Sequence, residues 1–173
     1  RNMQFQQAIL SQLPHIMEII SEAQAYLRAN NIPQWQDGYP NSEVIRADIE
    51  GGDSYVITDK QGQVVATAAL KFGGDPNYMQ IYEGTWKSSG DYGALHRIAI
   101  CDSYKGQGVA GQMIDALIQI CLERRIFSIR VDTHQENLSM QRMLKKHGFA
   151  YCGQIFLADG SPRIAFEKIL QEK

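Results

Sequence analysis

The stretch Leu95-His96-Arg97-Ile98-Ala99-Ile100-Cys101-Asp102-Ser103-Tyr104-Lys105-Gly106-Gln107-Gly108-Val109-Ala110-Gly111 decides how the rest of the chain is read. Its first part is largely apolar and predicts a strand over 94–101. Three glycines then fall within 106–111, after which Val109, Met113, Ala116, Leu117 and Ile120 recur at helical spacing. Gln112, Asp115, Gln119 and Glu123 take the opposite face, so an amphipathic helix is expected. A strand that passes through a glycine turn into a helix gathers backbone N–H groups at the positive helix end. Glycines let the backbone approach a guest closely, and a phosphate or pyrophosphate suits donors that the helix leaves unpaired. For the glycines alone, a tight turn without a ligand is the competing reading.

Taken literally, Gly106-x-Gly108-x-x-Gly111 also matches the dinucleotide fingerprint, and Asp132 follows at about the 20-residue spacing of a ribose-binding acid. Two features count against a nicotinamide-nucleotide oxidoreductase. Asp102, Ser103, Tyr104 and Lys105 separate the strand from the first glycine, where the dinucleotide fold runs strand directly into turn. One crossover helix and strand follow the glycines, too little chain for a doubly wound domain.

Working outward, residues 3–8 suggest a first strand, and Ser11 precedes an amphipathic helix carrying Leu13, Ile16, Met17, Ile20 and Leu27 and ending near Asn30. Pro14 is tolerated in its first turn. Residues 31–41 hold two prolines, a glycine, Trp35 and Tyr39, which marks a loop, and Ser42 opens a short helix. Strands are expected over 54–58 and 64–72 around a polar turn, over 78–82, near 127–131, and over 149–156 and 163–169, with a helix over 137–147. The order mixes an antiparallel meander with one βαβ crossover, so the class is α+β with a mixed, twisted sheet flanked by helices. No repeat, low-complexity tract or linker interrupts it, and residues 1–173 read as one domain.

Composition narrows the function. The chain has 17 Lys+Arg against 19 Asp+Glu, a net charge of -2, which argues against a nucleic-acid partner or a polybasic membrane anchor. Hydrophobic residues at 44% and charged residues at 21% place it among folded globular chains rather than disordered ones. No apolar run is long enough to span a bilayer, and the start at Arg1 shows no charged-then-apolar leader, so a cytoplasmic protein is expected. Cys101, Cys121 and Cys152 are odd in number and lack a Cys-x-x-Cys, so reduced packing thiols are expected. His134 and His147 have no carboxylate spacing that suggests a metal site, and none is expected.

The segment 95–149 resembles the acetyl-CoA-binding core of the GNAT N-acetyltransferase superfamily, in its bacterial-type single-domain form. The family pattern runs Gln or Arg, two residues, Gly, one residue, Gly or Ala. Here Lys105-Gly106-Gln107-Gly108-Val109-Ala110 fits it with lysine in the first place. Lysine keeps the charge but not the bidentate fork of arginine. The second signature, an Asn followed by a helix ending in Gly-Phe, is similar to Asn137 through Gly148-Phe149. The resemblance implies acetyl-CoA as cosubstrate. The main chain of Ile98 and Ile100 would pair with the pantetheine arm, and the Ile100 N–H would face the thioester oxygen. Lys105, Gly106, Gly108, Val109, Ala110 and Gly111 would line the pyrophosphate turn. Asn137 would touch the cofactor from its helix start, a role compatible with a plain N-cap.

Acetyl transfer to an amine needs a base, because an amine of pKa near 10 is almost wholly protonated at pH 7, and a proton source for the departing thiolate. Period-two alternation puts His96 on the face of Ile98 and Ile100, which makes it the candidate base; a histidine satisfied by solvent or core is the alternative. Its run is similar to the strand of arylalkylamine N-acetyltransferases in which a histidine relays a proton through water. Many members place a tyrosine eight residues into the second signature, where this chain has Leu144. The acid is then Tyr151, Tyr92 or His134, or else water or the amine's own proton. Trp35, Tyr39, Trp86 and Tyr92, with Asp37, are the candidate acceptor wall, suited to a small-molecule or peptide amine; packing of these loop aromatics into a satellite core is the stronger alternative. Dimers are common among relatives, and no sequence patch decides for or against a homodimer. The missing tyrosine keeps a second class open, a CoA-binding regulatory module without turnover.

Overall fold

In the computed structural model, which describes residues 3–171, the apolar periodicities become four α-helices and seven strands. Arg1, where the start was read for a leader, lies outside the described residues. The strands are β1 (Gln4–Gln7), β2 (Ser54–Thr58), β3 (Val64–Lys71), β4 (Gly93–Ile100), β5 (Ser128–Thr133), β6 (Ala150–Phe156) and β7 (Pro162–Ile169). The helices are α1 (Leu13–Ala29), α2 (Ser42–Glu50), α3 (Val109–Glu123) and α4 (Leu138–Lys146). The sheet order is β1-β2-β3-β4-β5-β7-β6. Pairing is antiparallel in β1/β2, β2/β3, β5/β7 and β6/β7 and parallel in β4/β5, so the expected meander with a single crossover is what forms. No helix among the described residues is long and apolar enough to cross a membrane.

Two compact units make up the chain, each from two separate segments. One comprises Arg1–Leu70 and His96–Ala116, the other Lys71–Leu95 and Leu117–Lys173. The first unit's core gathers Leu13, Ile16, Ile19 and Ile20 of α1, Ile45 and Ile49 of α2, Val56 of β2 and Ala99 of β4. Burying an aliphatic side chain of this size contributes about 1.5–3 kcal/mol, so this stripe is what fixes α1 and α2 in that unit. In the second unit Tyr78, Ala94, Ile155 and Ala165 form a core cluster, with Trp86 and Tyr92 packed against it. Along α3 the buried positions are Val109, Met113, Ile114, Leu117 and Cys121. Ala116 and Ile120, expected on that stripe, are only half-buried.

Two expectations are corrected. The strand over 78–82 does not form. Asp75 accepts a hydrogen bond from the Asn77 amide, Pro76 sets the next residue, and Pro76–Tyr78 closes a short 3-10 turn instead. What remains of strand character is one bridge between Tyr82 and Gln154. Ser42 opens α2 as expected, with Asn41 ahead of it as the cap, its Oδ1 accepting from the Val44 amide at 3.0 Å. The second correction lies in β4. Arg97 has φ +54°, a left-handed residue inside a strand, which interrupts the alternation meant to carry His96 onto the face of Ile98 and Ile100. Ile98 and Ala99, consecutive in sequence, are both buried.

Candidate active site

The turn after β4 is the part of the first unit built most clearly for a ligand. Gly106 and Gly108 have φ of +77° and +80°, values that side-chain-bearing residues adopt only at a cost. A Cβ placed on Gly106 would meet no atom within 4 Å, so packing does not demand a glycine there. What a side chain would fill is the open space before the backbone. The first helical bond of α3 runs from the Gln112 amide to the Gly108 carbonyl at 3.1 Å, which leaves the amides of Val109, Ala110 and Gly111 without an acceptor inside the helix. Val109 anchors the helix start at 2% exposure, while residues 105–108 stay exposed. The donor set, an open face and a helix end of positive potential fit the diphosphate of coenzyme A.

Several side chains pin that turn. The Asp102 amide donates to Glu22 Oε1 on α1 at 3.0 Å, and Gln107 Nε2 donates to the Ser103 carbonyl at 3.0 Å. Lys105 Nζ lies 3.0 Å from Asp102 Oδ1 and 4.8 Å over the Tyr26 ring. The lysine charge is therefore held beside the turn, in the place the family pattern gives to Gln or Arg. Cys101 donates its amide to the Val65 carbonyl of β3 at 2.8 Å, which fixes where β4 ends and the turn begins.

On β4 itself, His96 and Ile100 are half-buried and Ile98 is buried. Between them Arg97 makes a two-pronged contact with Asp48 of α2, Nε to Oδ2 at 2.7 Å and Nη2 to Oδ1 at 2.9 Å, and donates from Nη1 to the Tyr39 hydroxyl at 3.0 Å. Burial by itself lowers the pKa of this guanidinium, but the Asp48 carboxylate and Tyr39 more than offset it and keep the charge. Trp35 packs against the apolar cluster of the first unit and is half-buried, while Tyr39 leaves 44% of its surface exposed. Trp35 and Asp37 both have positive φ, at +59° and +57°, each costing on the order of 1 kcal/mol. The loop holds that conformation through side-chain amides. Gln24 Nε2 donates to the Tyr39 carbonyl at 2.8 Å, and Gln36 Nε2 donates to the carbonyls of Gln24 and Gln34 at 3.1 Å.

In the second unit, Asn137 caps α4, its Oδ1 accepting from the Met140 amide at 3.1 Å, and is 6% exposed. Leu144 is fully buried. Tyr151 lies on β6, half exposed, its ring edge-on to Phe166. His134 Nδ1 accepts from the Glu136 amide at 3.0 Å, and burial, then the nearby Arg163 charge, lowers its pKa against the opposing pull of Glu136. Trp86 and Tyr92 pack against the core cluster of the second unit, the satellite-core alternative to an acceptor wall. The Arg130 guanidinium lies 4.2 Å from each ring, Trp86 Nε1 donates to the Tyr78 carbonyl at 2.9 Å, and the Tyr92 hydroxyl accepts from the Asp75 amide at 2.8 Å. Arg130 Nε meets Glu167 Oε2 at 3.3 Å, and Glu167 also accepts from Ser128, Ser88 and the Lys87 amide. The missed signals were charges inside apolar patterns: Arg97 in β4, Asp48 on the core face of α2 between Ile45 and Ile49, and Arg130 in β5.

A glycine turn that opens α3 after β4 and a short polar link, with a mixed sheet of one parallel crossover, fits an acyltransferase fold of the GNAT kind. The acetyltransferase (GNAT) family model matches residues 16–149, and the chain belongs to that family. It is similar to the crystal structure of a GNAT-family acetyltransferase from Streptococcus agalactiae, at 36% identity and a TM-score of 0.89 over 98% of this chain and 96% of that one. A GNAT-family acetyltransferase from Listeria monocytogenes shares the fold at 19% identity, with a TM-score of 0.74 over 97% of this chain and 95% of that one. So does a chain of the NatC complex bound to Gag peptide and CoA, at 15% identity and a TM-score of 0.70 over 99% of this chain and 100% of that one. No curated protein matches the sequence.

Proposed function

We propose that this protein moves the acetyl group of acetyl-CoA to a primary amine of a small molecule or peptide by direct attack, and that the chain works as one domain in doing so. The observation that carries the reading is the left-handed turn at Gly106 and Gly108, open at Gly106, ahead of α3 amides that have no acceptor inside the helix. In this reading Lys105, Gly106, Gly108, Val109, Ala110 and Gly111 hold the diphosphate, Ile98 and Ile100 offer main-chain groups to the pantetheine arm, and Asn137 contributes from the start of α4. When bound, acetyl-CoA supplies a thioester carbonyl and a fairly good thiolate leaving group.

The chain's residues then divide the remaining work. The Ile100 amide is the donor offered where oxyanion charge develops. His96 takes a proton from the incoming ammonium, and Tyr151 is the phenol proposed to supply one to the thiolate, since Leu144 carries none. Trp35 and Tyr39, with Asp37, are proposed to receive the amine, ring faces and carboxylate suiting a cation. Trp86 and Tyr92, the other candidates for that role, are held within the second unit by the Arg130 guanidinium. Free thiols at all three cysteines suit the reducing cytoplasm. A homodimer is compatible with the reading and is not needed by it.

A CoA-binding module without turnover is the second reading, favoured by the buried Leu144 in the family's tyrosine place. An amine panel with thiol detection separates the two. Transfer gives thiol in equal amount with amide for at least one amine; tight CoA binding with no thiol from any amine selects the module.

A further inference from the structure

Arg97 is an arginine with φ +54° in the interior of β4, and its side chain is only 12% exposed. Three features converge on its guanidinium. The Asp48 carboxylate, 4% exposed, takes two parallel hydrogen bonds from it, a geometry that matches the planar fork and fixes its orientation. A third N–H reaches the Tyr39 hydroxyl at 3.0 Å. Tyr39 ends the loop that carries Trp35, and its ring remains 44% exposed while its hydroxyl is held. One buried charge thus joins the left-handed residue of the strand, the core face of α2 and the exposed aromatic of the loop. The residues on either side of Arg97 are His96 and Ile98.

We propose that Arg97 is a positioning residue for acetyl transfer: its clamp on Asp48 and Tyr39 sets the direction of the β4 main chain and the angle of the Tyr39 ring together, so that amine placement and thioester placement are coupled. The inference rests on the acetyltransferase reading of β4 and Tyr39, and adds a residue that reading does not use. A lysine at this position keeps the charge but cannot grip a carboxylate bidentately and reach the phenol from one plane. Removing the phenol alone leaves the Asp48 pair in place and cuts only the tie to the loop.

The test compares wild type, Arg97→Lys, Tyr39→Phe and the double variant by steady-state kinetics, CoA calorimetry and amide hydrogen exchange resolved to 31–41 and 94–101. Each single variant should lose about tenfold or more in kcat, since a small misplacement is costly, with CoA affinity held within about threefold. The double variant should lose no more than Arg97→Lys, because both act through one contact. Exchange should accelerate in both segments for either variant. Losses that add in the double variant, or exchange in Tyr39→Phe that is unchanged over 94–101, overturn the coupling. If Arg97→Lys does not fold, Tyr39→Phe decides by the same exchange readout. A wild type that binds no CoA overturns the acetyltransferase reading instead, and the exchange comparison still decides the coupling.

Discussion

At the residue scale, the glycines of the turn separate a structural role from a binding role. Gly106 has left-handed φ and open space where a Cβ would stand. Gly106→Ala should therefore cost only the strain of a left-handed alanine, about 1–2 kcal/mol, within the roughly 5–15 kcal/mol that keeps a domain folded. Calorimetry should nevertheless show CoA affinity reduced by about tenfold or more, because the new methyl occupies the approach to the backbone amides. Unchanged affinity in a folded variant would remove the diphosphate from this turn. His96→Ala should lower turnover by roughly 100-fold, most at low pH where the free amine is scarce, without weakening CoA binding. A pH profile parallel to that of wild type would take His96 out of proton transfer. The thiols differ for a physical reason: burial pushes Cys121 up to about 12 and raises Cys152 as well, whereas Cys101 is half-buried at the end of β4. Alkylation of the folded protein near pH 8 should stop at one equivalent, on Cys101, as read by peptide mass. Uptake at Cys121 without unfolding would contradict the buried packing of α3.

At the element scale, β5 and β7 are joined by a buried ionic cluster that behaves differently from a surface pair. The Arg130 and Glu167 side chains are 6% and 0% exposed, and Ser128, Ser88 and the Lys87 amide complete the carboxylate's hydrogen bonds. Burial alone raises the Glu167 pKa, but those donors and the Arg130 charge outweigh it and hold the group below the usual glutamate range. A depressed folded-state pKa contributes stability above the unfolded value of about 4.3 and loses it as pH falls through the folded value. Glu167→Gln should cost about 3 kcal/mol near pH 7, because an amide leaves Arg130 uncompensated and turns donors toward donors. That is a fall in Tm of about 6–12 °C, and the acid limb of stability against pH should flatten in the variant; equal slopes below pH 5 would remove Glu167 from acid unfolding. The same elements show what was legible in the sequence. β2 at Ser54–Thr58, the helices and the glycine turn followed from period, β-branching and punctuation, and the candidate cofactor residues beyond the turn came only with the family resemblance. The 3-10 turn at Pro76–Tyr78 was hidden because Tyr78 and Ile81 mimic an apolar strand while Asp75 and Pro76 set the backbone. The kink at Arg97 was hidden because alternation assumes a regular strand, and no local rule gives an arginine positive φ. The fates of Trp86 and Tyr92 depended on Arg130 and Asp75, partners remote in sequence that only tertiary structure supplies.

At the scale of the whole molecule, the route of the chain determines how a ligand should act on unfolding. Each compact unit is assembled from two separate segments, and the chain passes between units three times, within β3, within β4 and within α3. Neither unit is a contiguous piece that could be cut out of the sequence, so heating should give one cooperative transition rather than two. A ligand that binds only the folded chain stabilises it by RT ln(1 + [L]/Kd), about 2.7 kcal/mol at a hundredfold excess over Kd. For a chain of 173 residues this corresponds to a rise of about 5–10 °C in Tm. CoA should produce that rise at saturation, moving the whole transition without splitting it. NAD at the same excess should produce none, because the polar link of residues 102–105 places the glycines of this turn differently from those of a dinucleotide fold. The adenosine and diphosphate chemistry shared by the two ligands makes the comparison strict: general affinity for nucleotides would shift the transition with both. A shift with NAD equal to that with CoA would overturn the selective diphosphate turn, and a transition that splits on adding CoA would overturn the reading of the chain as one cooperative acetyltransferase domain.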